Sequence, residues 1–332
     1  MHSAGDVRVE ERPNPTIIEP TDAIIRLSAA CICGSDLWPY RGADHVDHTP
    51  MGHEYVGVVT EIGDQVAMLK IGDFVVGSFF ASDNTCDICR AGYHSWCVHR
   101  SGLDGTQAEF ARIPLADGTL VATPGQPDAE LIPSLLAASD VLGTGWFAAV
   151  AAEVGPGKTV AVVGDGAVGL LGVLAAKQLG AERIIAMSRH ADRQALAREF
   201  GATDIVEERG DEGVAAIKSL TNGLGAHSVI EAVGTQESMM QSIRATRPGG
   251  HVGYVGVSHD VELPGLELFF SGVHLHGGPA PVRRFLPELI QLIWDRKINP
   301  GKVFDLTLPF EQAAEGYKAM DERRATKVLL TF

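Results

Sequence analysis

Along the first 125 or so residues, apolar positions come in short β-branched runs that Gly and Pro interrupt. Examples are Ala23-Ile24-Ile25-Arg26-Leu27, Gly57-Val58-Val59-Thr60-Glu61-Ile62 and Phe74-Val75-Val76-Gly77. Runs of this kind predict the short strands of a β-rich domain. From about residue 158 the pattern changes. Apolar runs at 159–163, 183–187, 228–232, 252–257 and 273–276 alternate with stretches of helical period, the clearest at 167–179 and 192–200. Such alternation predicts a parallel sheet with helices on both faces. A helical stretch at 285–295 and the strand-like Lys327-Val328-Leu329-Leu330 follow. The expected class is α/β. One domain takes residues 1–141 and 279–332, and a doubly wound domain takes 142–278.

Bulk properties narrow the classes. The 332 residues suffice for two cores, and 45% hydrophobic with 21% charged residues is an ordinary globular balance. A formal net charge of −15 argues against a nucleic-acid partner, whose phosphates it would repel. No run approaches the roughly 18 apolar residues of a membrane span, and Met1-His2-Ser3-Ala4-Gly5-Asp6 has no signal-like core. Five cysteines, an odd number in a long chain, suit a reducing compartment. The expected location is the cytoplasm.

Two constellations carry chemistry. Cys33 and Gly52-His53-Glu54 offer a thiolate, an imidazole and a carboxylate, a donor set that suits zinc with one position open for substrate. Further on, Gly164-Asp165-Gly166-Ala167-Val168-Gly169 follows the apolar run Thr159–Val163 and opens a helical stretch. In that setting the glycines permit a tight turn, a close approach to pyrophosphate and close helix packing, with the helix N-terminus aimed at phosphate. The next strand ends in Met187-Ser188-Arg189-His190, without the carboxylate that grips a ribose 2′-hydroxyl in an NAD site. Ser188 and Arg189 suit a 2′-phosphate instead, so NADP is expected over NAD. Arg193 is a further cation in reach. Gly155-Pro156-Gly157-Lys158-Thr159 superficially resembles a P-loop but precedes a strand, which makes it a turn.

Taken in order, Cys33-Gly34-Ser35-Asp36, Gly52-His53-Glu54-Tyr55-Val56-Gly57 with Gly63 and Val66, Asp140 to Gly145 and the glycine fingerprint resemble the zinc-containing medium-chain alcohol dehydrogenases over nearly the whole length. The resemblance implies a GroES-like β-rich catalytic domain and a Rossmann cofactor domain. It implies Cys33, His53 and Asp140 as catalytic zinc ligands, Glu54 as an exchangeable neighbour, and Ser35 as the hydroxyl that passes on the alcohol proton. Thr144 is placed near the nicotinamide, the backbone around Val255 to Val257 on its carboxamide, and Lys327 facing the pyrophosphate or simply solvated. A second, structural zinc would use Asp83, Cys86, Cys89 and Cys97, with Asp standing where the family has its first cysteine, and the alternative is a metal-free, reduced loop. His94 and His99 are possible substitutes there, Cys31 is a core residue, and His45 and His48 lie in a solvated loop. The implied reaction passes hydride between NADP(H) and a small alcohol, aldehyde or ketone while zinc activates the substrate oxygen. A homodimer or homotetramer is the implied assembly.

Three departures stand out. Trp38 replaces the relay histidine, the chain begins almost at Gly5-Asp6-Val7-Arg8 where the family first has an apolar strand, and Val98 to Gln107 is short. Trp38, Tyr40 and Trp146 are expected in a pocket wall. The competing readings are a zinc-free quinone or enoyl reductase, which lacks the Cys33, His53 and Glu54 set, and a non-catalytic binder of metal or nucleotide.

Overall fold

The computed structural model describes residues 1–103 and 105–332. Its strands, in chain order, are β1 (Ala23–Ile32), β2 (Tyr55–Ile62), β3 (Phe74–Gly77), β4 (Phe80–Ala81), β5 (Ser101–Gly102), β6 (Phe110–Ile113) and β7 (Leu120–Ala122). They continue as β8 (Thr159–Val163), β9 (Arg183–Met187), β10 (Asp204–Val206), β11 (Ala226–Glu231), β12 (Thr246–Tyr254), β13 (His274–Gly277), β14 (Leu306–Pro309) and β15 (Val328–Thr331). The chain folds into two compact units, Met1–Gly143 with Pro281–Phe332, and Thr144–Ala280.

The first unit is built on a sheet in the order β14-β15-β1-β2-β3-β7, with β6 also paired to β1. Strand β1 is the hub. It meets β2, β6 and β15 antiparallel, and the Ile25, Leu27 and Ala30 side chains that it contributes are buried with Tyr55, Val75, Ile113 and Leu120. Two register shifts against β2 let one long strand serve several partners. The registers Ala30↔Tyr55 and Ile32↔Val328 place the residues after β1 opposite those just before β2 and just before β15. Cys33, Glu54 and Lys327 therefore converge at one end of the sheet.

The second unit is a six-stranded parallel sheet in the order β10-β9-β8-β11-β12-β13. The order reverses between β8 and β11, the switch point where such sheets bind ligands beyond the strand ends. Both faces of β8, β9 and β11 are buried, and the core joins Ala161, Ile185, Val229 and Val252. This arrangement explains why these strands appear in the sequence as continuous rather than alternating apolar runs. The helix Ala167–Gln178 runs from the end of β8, and buries Leu170, Leu171, Val173 and Leu174. Among the described residues no single helix is long and apolar enough to cross a membrane.

Candidate active and metal sites

Cys33 follows β1, and its amide donates to Asp36 Oδ2 at 3.0 Å within a short turn. His53 and Glu54 lead into β2 behind Gly52, whose φ is +95°. A Cβ on Gly52 would sit 2.7 Å from the Gln107 backbone nitrogen, so only glycine fits where the loop pairs with Thr106 and Gln107. Asp140 occupies the break between the helices Ile132–Ala138 and Val141–Ala151 and is 7% exposed. The structure brings Cys33, His53, Glu54 and Asp140 together, with one ligand atom from each lying within 4.8 Å of the others. Asp140 Oδ2 is 3.4 Å from His53 Nε2 and 3.7 Å from Cys33 Sγ. Tetrahedral zinc with bonds near 2.0–2.3 Å separates its ligands by about 3.3–3.8 Å, so these spacings fit the ion.

The surroundings also call for a cation. Glu54 is fully buried, and its Oε2 has no hydrogen-bond partner. Burial and the Glu54 charge push the Cys33 thiol up. Burial alone would lower His53, but Asp36, Cys33 and Asp140 hold its imidazole well above the ordinary value. A buried group of carboxylates and a thiol that must share protons is relieved by a divalent ion, which would leave the thiol ionised and the imidazole neutral.

Residues not expected from the sequence support this cluster. Asp36 Oδ1 lies 3.5 Å from His53 Nδ1, the carboxylate–histidine arrangement that orients a metal-binding imidazole. Gln107 Nε2 donates to Asp36 Oδ2 at 3.3 Å and to the Cys31 carbonyl at 3.1 Å, while Tyr317 Oη donates to Gln107 Oε1 at 3.0 Å. Lys327 is neither solvated nor free. It is 1% exposed, and its Nζ donates to Glu54 Oε1 at 2.7 Å and to the Ile32 carbonyl at 3.3 Å. Ser35 lies half-buried in the Cys33–Asp36 turn, and Cys31 is buried. Tyr40 packs on Tyr317 at 5.5 Å between ring centroids, and Trp146 is a buried core residue.

The second cluster of the first unit comprises Asp83, Cys86, Cys89 and Cys97, again within 4.8 Å of one another. Cys86 caps the helix Asp87–Arg90, its sulfur accepting from the Cys89 amide. Cys97 Sγ accepts from the Asp83 and His99 amides at 3.4 Å each, which suits a thiolate. His94 and His99 stay outside this set. His99 Nδ1 pairs with Asp83 Oδ2 at 2.7 Å, and His94 Nε2 with Asn84 Oδ1 at 2.6 Å. The short segment 98–107 includes residue 104, which lies outside the described residues.

In the second unit, Gly164, with φ +117°, turns the chain out of β8, and Gly166 caps the helix. A Cβ on Gly169 would meet the Gly164 carbonyl oxygen at 2.0 Å, whereas one on Gly166 would meet nothing within 4 Å. The turn is therefore tight underneath and open on its outer face, as a pyrophosphate requires. Glu231, at the end of β11, accepts from the Val233 and Gly234 amides and the Ser238 hydroxyl, and its Oε2 is buried without a partner. Thr144 is buried, the Val255 amide donates to the Glu231 carbonyl, and Val257 is 54% exposed. Ser188 and Arg193 do not stand free: both hold Asp165, at 2.7 and 3.1 Å. Arg189 Nε donates to the Glu207 carbonyl. Ala167 and Val168 form the first turn of the helix.

Comparison with known proteins agrees with this geometry. The family model described as "Alcohol dehydrogenase GroES-like domain" matches residues 19–124, and "Zinc-binding dehydrogenase" matches residues 167–295. A probable zinc-binding alcohol dehydrogenase of Mycobacterium tuberculosis is 37% identical over 327 residues, covering 96% of this chain and 83% of that protein. An NADP-dependent isopropanol dehydrogenase of Thermoanaerobacter brockii is 34% identical over 315 residues, 89% of this chain and 86% of its own. Among solved structures, the alcohol dehydrogenase TADH of Thermus sp. ATN1 superposes with a TM-score of 0.91 at 31% identity, covering 100% of this chain and 98% of that one.

Proposed function

Because the chain belongs to the zinc-containing medium-chain alcohol dehydrogenases, we propose that it exchanges hydride between NADP(H) and a small alcohol, aldehyde or ketone at the Cys33–His53–Asp140 site. The orphaned, fully buried Glu54 oxygen beside a thiol, an imidazole and a second carboxylate carries this reading. Zinc bound there would supply Lewis-acid polarisation of the substrate oxygen, and a nicotinamide in the second unit would supply or take the hydride. Cys33, His53 and Asp140 are the holding residues. Asp36 keeps the His53 ring turned with Nε2 toward Asp140, and Lys327 holds one Glu54 oxygen so that the other is left to take part in ligand exchange. Ser35, beside Cys33, is the hydroxyl that takes the alcohol proton toward solvent.

The preference for NADP rests on the absence of a carboxylate at the end of β9 and on Arg189, whose terminal nitrogens extend beyond its Nε bond. Asp165 is neutralised by Arg193, so the fingerprint presents no net negative charge to a phosphate. We place Asp83, Cys86, Cys89 and Cys97 as a second, structural zinc site. The assembly is a homo-oligomer, and five unpaired cysteines suit the cytoplasm.

Metal analysis joined to an NADPH- and NADH-linked assay over a panel of carbonyls tests the reading. Wild type should carry zinc and oxidise NADPH with a carbonyl present, and Cys33→Ala should lose one zinc per chain together with turnover. Metal-free protein that still reduces substrate with NADPH would instead point to the zinc-free reductases. For the cofactor, Arg189→Gln should lower kcat/KM for NADPH by about tenfold to a hundredfold, the value of a charge-assisted contact, and leave NADH nearly unchanged.

A further inference from the structure

Beside the second cluster, with Cys89 in its wall, the first unit has a surface pocket of about 390 Å³ whose charged lining, among the described residues, is all of one sign. Arg90, Arg283, Arg284 and His94 face it, together with Asn84, and no carboxylate among the described residues does. That is unexpected in a chain with a formal charge of −15. Arg283 and Arg284 stand in the first turn of the 13-residue helix Val282–Trp294, which has no acidic residue in that turn. Guanidinium groups at the positive end of a helix dipole are unfavourable, since this end stabilises negative charge.

One donor in the wall is also left without a partner. Arg283 Nε is buried and makes no hydrogen bond, and the buried His94, 7% exposed, donates through Nε2 to Asn84 Oδ1 at 2.6 Å. Burial pushes Arg283 below its ordinary value, and burial followed by the Arg283 charge does the same to His94. Arg284 is pinned over Phe285, 5.2 Å from its ring centroid, and lies against Gly92, where an added Cβ would approach its Nη1 to 3.2 Å. Arg90 is tied to exposed Asp87. A local arrangement that breaks the electrostatic rules of its own helix marks a site whose missing member is a ligand.

We propose that this pocket binds the phosphoryl group of a small phosphorylated metabolite or free phosphate. Three guanidinium groups offer more donors and charge than one carboxylate can accept, whereas a phosphoryl dianion has three strong acceptor oxygens. The arginine fork matches that geometry, and the helix N-terminus adds its dipole. The volume lies within the range of small-molecule sites and exceeds what inorganic phosphate fills.

Isothermal titration of the zinc-loaded protein, saturated with NADP+ to fill the nicotinamide site and held at constant ionic strength, tests the assignment. The titrants are inorganic phosphate and glucose 6-phosphate. At least one should bind saturably at one site per chain, at least tenfold more weakly in Arg284→Gln and in Arg283→Met, and unchanged in Arg296→Gln, beyond the far end of the same helix. Arg284 is exposed, so its replacement keeps the test valid if Arg283→Met fails to fold. Tighter binding of the sugar phosphate marks an esterified ligand, and equal binding marks free phosphate. No saturable binding of either titrant, or affinities unchanged in Arg284→Gln, would overturn the site.

Discussion

At the scale of single residues, the least replaceable polar contact is the ion pair between Lys327 and Glu54. Both side chains are essentially without solvent, at 1% and 0% exposure. A buried pair of this kind is weak evidence of net stability, but removing one partner strands the other charge. Lys327→Met should therefore destabilise the first unit by about 3–5 kcal/mol, read as a shift in its urea-unfolding midpoint. Adding Glu54→Gln should restore much of that loss, and if it does not, the pair is not the source. The cluster was legible in two ways, Cys33, His53 and Glu54 through their types and order and Asp140 through the family resemblance, and the fold does bring the four together. Asp36 was visible only as part of a motif without a role. Gln107 and Tyr317 gave no signal at all, because their value lies in a contact across 210 residues. Lys327 was expected to face the pyrophosphate or to be solvated, and the second alternative fails because the register Ile32↔Val328 turns the lysine inward onto Glu54.

At the scale of elements, β9 and β10 are joined by more than their ladder. Arg183 donates through Nε and Nη2 to both oxygens of Asp204, at 2.8 and 2.7 Å, and through Nη1 to the Leu220 carbonyl. The bond from Arg183, working against partial burial, holds the Asp204 carboxyl down at about 2, against an ordinary 3.8. Since the folded value lies below the unfolded one, the stabilisation is full above about 3.8 and disappears as pH falls toward 2. Asp204→Asn should lower the melting temperature at pH 7 and lose its deficit relative to wild type by pH 2–3, followed by circular dichroism. Strand β10 itself escaped the sequence because three residues, only one of them fully buried, carry no periodicity. The helices Gly210–Leu220 and Gln236–Ala245 were also unmarked, the first broken in pattern by Gly210 and Gly213 and the second rich in polar residues. By contrast β3, β8 and β9 were read to the residue, since buried apolar runs bounded by Gly, Lys or polar residues have sharp ends.

For the whole molecule, two surface features favour self-association. Strand β13 ends its sheet and so presents an unpaired edge. Nearby in sequence, the short helix Gly265–Ser271 exposes Leu266, Phe269 and Phe270 at 75%, 78% and 76%. A chain this acidic has few reasons to leave three large apolar groups in water unless a second copy covers them. Phe269→Glu combined with Phe270→Glu should lower the subunit number seen by light scattering, whereas an unchanged mass would locate the interface elsewhere. Metal stoichiometry belongs to the same scale. Two zincs per chain are expected, falling to one in Cys97→Ala, with a lower melting temperature as the lobe loses its cross-link.

The division of the first unit into two stretches of chain, 1–143 and 281–332, has a consequence for how the protein comes into being. During synthesis the intervening 144–280 segment is complete and ready to fold on emergence, while β1 still waits for its neighbour β15. Until residue 331 leaves the ribosome, the Glu54 carboxylate has no ammonium beside it, and the strand that presents Cys33 has one flank bare. Nascent chains should thus acquire their dinucleotide-binding half first and become competent to retain metal only once residues 327–331 have emerged.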